Sequence, residues 1–192
     1  MAHTSRIVAT ETARSVPQWS DVAAWATVWC TVPSSAWRVA AGLGVDVGFT
    51  GELGDMYRGP AFLLYVWVLT VVSQAGAFLT LGLVRPWGER VPSWIPRLGG
   101  RPIPPLAVIT PALLGGVAVT ALCAMVALAP NGPLDNPDFP RGAAGVIMAL
   151  CYAPLLAWGP LVIALTVSYA RRRGVVGASR DPHAGAMKAP TP

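Results

Sequence analysis

A chain of 192 residues has the length of one or two soluble domains, yet 54% of it is hydrophobic, only 12% is charged and the mean hydropathy is +0.53. Such a balance excludes an ordinary water-facing surface and points to a membrane protein. The net charge of +5 does not redirect the chain toward nucleic acid, because its arginines stand beside apolar runs and not on a folded polar face, which is the positive-inside pattern.

The first residues, Met1 to Gln18, are polar and carry Arg6 and Arg14, as a cytoplasmic tail does (1–18). A first apolar run covers 19–41. It is longer than a signal-peptide core and follows a long polar leader, so it reads as an uncleaved span. Pro33 removes one helical hydrogen bond within it, Ser34 and Ser35 can serve the loosened backbone, and Arg38 lies near its far end. Residues 42–59 form a first external loop in which repeated glycines argue for turns over regular structure. The second span, 60–84, is uncharged and opens on Pro60, a residue suited to the first helical position. Gln74, beside Ser73, should point into the bundle, since an amide facing hydrocarbon is costly.

Arg85 to Pro105, RPWGERVPSWIPRLGGRPIPP, is a connector with four arginines against the single acid Glu89. Its prolines make a continuous helix improbable, and an irregular strap on the cytoplasmic face is expected. Arg85, Arg90, Arg97 and Arg101, with Trp87 and Trp94 between them, suit a segment lying among lipid headgroups. The third span is 106–129, where Ala112 and Gly116 have the small-xxx-small spacing of close helix packing. A second external loop follows, and the fourth span, 143–170, should bend at Pro154 and Pro160. Arg171, Arg172 and Arg173 end it, and the Gly-, Pro- and Ala-rich remainder, 171–192, reads as a disordered cytoplasmic tail. Eleven basic residues fall in the segments assigned to the inside, while the external loops hold only Arg58 and Arg141.

The expected fold is therefore an all-α membrane protein. Four transmembrane helices, within a domain spanning 19–170, form two antiparallel hairpins joined by the basic strap, with both ends in the cytoplasm.

Two constellations could carry a site. On the external side Arg38 faces a rim of Asp46, Glu52, Asp55, Asp135 and Asp138, which could pair an arginine that reaches toward the interface or form a ligand site. Within the membrane, Ser34, Ser35, Ser73 and Gln74 form a polar patch if the first two helices pack as a hairpin. No cofactor or metal is expected: His3 and His183 lie in the tails, and Cys30, Cys123 and Cys151 lie in apolar runs without CxxC spacing. Catalytic triad, phosphate-loop and dinucleotide signatures are absent as well.

The stretches RPWGERVPSWIPRLGGRPIPPLAVITPALLGG and WCTVPSSAWRVAAGLGVDVG resemble a group of uncharacterised small four-span integral membrane proteins of Streptomyces and related actinobacteria. Arginine in place of lysine at all basic positions but Lys188 fits a GC-rich genome of that kind. The resemblance implies the topology and carries no activity or ligand residue with it. The functional expectation is a non-enzymatic plasma-membrane component acting through protein partners, a second copy of itself, or anionic lipids at the cytoplasmic face. A small oligomeric transporter is the alternative, and a lipid-modifying enzyme the third.

Overall fold

The computed structural model describes residues 16–91, 93, 95–96, 99–129 and 136–175. The terminal tails, Trp94, Arg97 and Asp135 lie outside them. Six α-helices account for the fold: α1 (Gln18–Gly42), α2 (Gly51–Met56), α3 (Pro60–Thr80), α4 (Pro105–Leu128), α5 (Gly142–Tyr152) and α6 (Leu155–Arg172). There is no strand among the described residues.

Among the described residues three stretches are long and apolar enough to cross a membrane: Pro60–Leu83, Pro105–Leu128 and Gly142–Arg172. The first is α3 prolonged by a 3₁₀ turn, Leu81–Leu83, and the third is α5 and α6 together. Of their most apolar stretches only 17%, 6% and 11% is buried inside the protein. Side chains such as Val71, Leu114, Met125 and Leu150 stand outward over continuous bands, a surface that water does not tolerate and lipid does.

Here the sequence-based count of four is corrected to three helices of sufficient apolarity. Run 19–41 forms a helix of ample length, 25 residues, but Ser20, Asp21, Thr27, Thr31, Ser34, Ser35 and Arg38 lower its hydropathy below that of a self-sufficient span. Most of the polar residues of α1 face inward, Gln18 and Asp21 at its first turn excepted. Of nine buried polar or charged side chains, six belong to α1: Ser20, Thr27, Thr31, Ser34, Ser35 and Arg38. Its outward face carries Trp19, Val22, Trp25, Trp29 and Val32 instead. The helix runs unbroken through Pro33.

α1 packs against α3, and α4 against α6, so two hairpin-like pairs form and meet along α1 and α6. The α4–α6 contact is the tightest, because Gly116 and Gly159 oppose each other. A methyl added at Gly116 would lie 2.9 Å from Ile163, and one at Gly159 would lie 2.8 Å from the Gly116 carbonyl oxygen. The fourth apolar run breaks at Ala153–Pro154, dividing it into α5 and α6, whereas Pro160 is absorbed within α6.

Tight apolar packing concentrates at one pole, where Ala23 and Ala24 of α1, Leu81, Leu83 and Val84 after α3, and Leu165 and Tyr169 of α6 form a buried cluster. Trp87 packs on this cluster and stacks with Phe78 at 5.8 Å. The connector is more ordered than an irregular strap. Arg90 and Pro102 form an isolated antiparallel bridge, with Val91 donating to Arg101 at 3.0 Å and Gly100 to Val91 at 2.8 Å. Gly100, at φ 78°, supplies the left-handed turn that lets the chain return.

Candidate functional site

The polar face of α1 meets α3 at Gln74. The Gln74 side-chain amide donates to Ser35 Oγ at 3.0 Å, and Arg38 donates to the same oxygen at 3.3 Å. A hydroxyl oxygen has two lone pairs, so Ser35 can accept both. Thr31 Oγ1 lies 2.8 Å from the Val28 carbonyl and 3.3 Å from Gln74 Oε1, and its one hydrogen is drawn chiefly to the nearer. One member of the rim constellation read from the sequence thus joins the polar patch: Arg38 meets Ser35 and, through it, Gln74. Ser34 and Ser73 turn back to their own helices, donating to the Thr31 and Leu69 carbonyls.

Arg38 is 9% exposed, its Nε has no hydrogen-bond partner, and no carboxylate lies within ion-pair distance among the described residues. The described acids of the rim are engaged elsewhere or face outward. Asp46 accepts from the Gly48 amide at 2.9 Å, Asp55 pairs with Arg58 at 3.5 Å on the surface, and Glu52 is exposed. Asp138 lies against the start of α2, where its carbonyl accepts from the Thr50 amide at 3.0 Å. The acidic rim and Arg38 are therefore separate among the described residues.

Between them sits an aromatic cluster that sequence reasoning missed. Phe49 is its centre, in edge contact with Trp37 (5.7 Å), Tyr57 (4.5 Å) and Phe139 (5.5 Å), while Trp37 also meets Tyr152 at 5.4 Å. Such edge-to-face pairs add roughly 0.5–1.5 kcal/mol each beyond burial. Burial first, and Tyr65 second, pushes the Tyr57 phenol above its ordinary value. No local periodicity marks the cluster, because its members come from α1, two loops and α5.

The opposite pole is rich in arginine. Arg85 pairs with Asp21 of α1 at 3.3 Å. Glu89 receives Arg172 at 3.5 Å and Arg173 at 4.0 Å, Arg172 also donates to the Leu83 carbonyl, and Arg173 donates to the Ile103 carbonyl at 3.1 Å. Tyr169 donates to the Gly88 carbonyl at 3.2 Å, and both guanidinium groups lie over its ring. The connector is thereby tied to the end of α6. Arg90, Arg101 and Arg171 remain exposed with no ion pair among the described residues. Of the connector's two tryptophans, the described Trp87 packs into the core and does not lie free at an interface.

Among the described residues no three of His, Cys, Asp and Glu gather as a metal set. Comparison with protein-family models, with curated proteins and with solved structures gave no match.

Proposed function

We propose that the chain is an integral protein of the plasma membrane with four crossings, α1 being the one whose polar face is covered by its neighbours, and with the arginine-rich pole in the cytoplasm. Support for the fourth crossing comes from the inverted polarity of α1. A helix lying on a soluble core buries its apolar stripe and exposes its polar one, and α1 does the reverse. Orientation follows from the excess of arginine in the connector and beyond α6. Kinship with the actinobacterial group belongs to the same proposal and is carried by the connector sequence.

At that cytoplasmic pole the protein acts as a non-enzymatic component that engages anionic lipid headgroups or a membrane partner. The single observation carrying this reading is that Arg90, Arg101 and Arg171 are exposed without an ion pair among the described residues, while the acids nearest them, Asp21 and Glu89, are already engaged. Each basic residue near an anionic surface contributes about 1 kcal/mol. Extraction of the parent and of an Arg90→Gln/Arg101→Gln variant into polymer-bounded discs, followed by headgroup analysis, tests it. The parent should retain more anionic lipid than the bulk membrane and the variant should not; equal composition in the two would refute the lipid role.

A further inference from the structure

Between the first turn of α1 and the last turns of α6 lies an open groove of about 480 Å3. Its walls are apolar, formed by Trp19 on α1 and by Ala164 and Val167 on α6, and its other end is polar, with Ser168, Arg171 and Arg172. Trp19 and Val167 are both exposed, so the walls are open to whatever surrounds the protein. Ser20 is fully buried and lies 3.2 Å from Ser168, so these two hydroxyls are hydrogen-bonded to each other across the helices.

The two arginines at the polar end differ. Arg172 is held by Glu89 and the Leu83 carbonyl, whereas Arg171 is exposed and has no carboxylate within ion-pair distance among the described residues. The acid closest along α1, Asp21, is already compensated by Arg85. α1 begins beside the groove without a side-chain cap, and Asp21 in its first turn offsets the partial positive charge of that helix start. The opposing negative end of α6 is offset by Arg171 and Arg172 in its last turn. An apolar trough thus ends at one uncommitted cation.

We propose that this groove holds a single anionic phospholipid, with its phosphate at Arg171 and an acyl chain along Trp19, Ala164 and Val167. The inference rests on the membrane reading above, and the depth agrees with it, since Arg171 stands at the end of the apolar stretch Gly142–Arg172, where hydrocarbon gives way to headgroups. A small soluble anion would answer the arginine but leave the walls bare. A zwitterionic lipid would fill the walls yet bring a second cation toward a pole already crowded with guanidinium groups.

The test uses the full chain in nanodiscs of phosphatidylcholine containing phosphatidylglycerol, with one lipid or the other carrying brominated acyl chains that quench tryptophan emission on contact. In the parent, brominated phosphatidylglycerol should quench beyond brominated phosphatidylcholine at equal mole fraction. That excess should shrink in Trp19→Phe, because Trp19 lines the groove, fall about fivefold in Arg171→Gln, and persist in Arg171→Lys, which keeps the charge. An excess left undiminished by Trp19→Phe or by Arg171→Gln overturns the groove. If the same excess is instead lost in Arg90→Gln/Arg101→Gln, the arginine-rich pole stands as the lipid contact without it. No excess in the parent overturns both, and no quenching by either lipid overturns the membrane reading itself.

Discussion

α1 and α4 are nearly equal in length, 25 and 24 residues, and opposite in every other respect. α1 buries nine residues, six of them polar or charged, whereas α4 buries only Gly116. α4 touches its neighbour along one side and presents almost wholly apolar side chains elsewhere, with Thr110 the polar exception. α1 is flanked by α3, α5 and α6, so its hydroxyls, and Arg38 with them, find partners inside the protein. Composition reports the surroundings of α4 faithfully because those surroundings are lipid. For α1 it reports the neighbours on its polar face instead, and a hydropathy count passes over a helix whose polar side chains are covered by the fold.

Changes that separate the two helices should scale with how much each depends on protein contact. The largest effect belongs where α4 does touch the protein. Gly159→Val drives a branched side chain into Thr120 and the Gly116 carbonyl, backbone that cannot yield cheaply, and should lower unfolding stability in detergent by about 3 kcal/mol. A loss below about 1 kcal/mol would mean that α4 and α6 are more loosely joined than described.

Next is the polar contact of α1 with α3. Gln74→Leu removes a partner from Ser35 and should cost about 1 kcal/mol, within the range for hydrogen bonds between membrane helices. In a double-mutant cycle with Ser35→Ala the coupling should be roughly 0.6 kcal/mol; zero coupling would show that the two side chains do not depend on each other. Glu89→Gln, which weakens the tie between the connector and Arg172 and Arg173, should cost less than about 1 kcal/mol and lose its effect at high salt. Smallest of all is Leu114→Ala on the outer face of α4, where a change within about 0.5 kcal/mol is expected. A larger loss would place a second copy of the chain on that face.

The same contrast explains what could be read in the chain. Spans expected at 60–84, 106–129 and 143–170 lie within one or two residues of Pro60–Leu83, Pro105–Leu128 and Gly142–Arg172, because lipid imposes a local rule on every residue it touches. The inward orientation of Gln74 followed from the same rule, as an amide has no place in hydrocarbon. What escaped was long-range: Thr31 beside Gln74, the Ser20–Ser168 contact across 148 positions, and the return of Arg172 and Arg173 to Glu89. Loop 42–59, expected to hold only turns, contains the short helix α2, and its Phe49 and Tyr57 were not marked as packing residues by any neighbour in sequence. Trp87 looked interfacial beside its arginines, yet Gly82 leaves room for its ring: a methyl there would lie 2.6 Å from it. That complementarity exists only once the chain has turned.

Whether α1 crosses the bilayer decides the rest. In a background with Cys30, Cys123 and Cys151 replaced by alanine, single cysteines at the exposed positions Val16, Glu52 and Ser93 are challenged in whole cells with a membrane-impermeant maleimide. The proposed topology requires labelling at position 52 alone, with 16 and 93 reacting only after the membrane is opened. Labelling at 16 together with 52 would put both ends of α1 on the same side and contradict it.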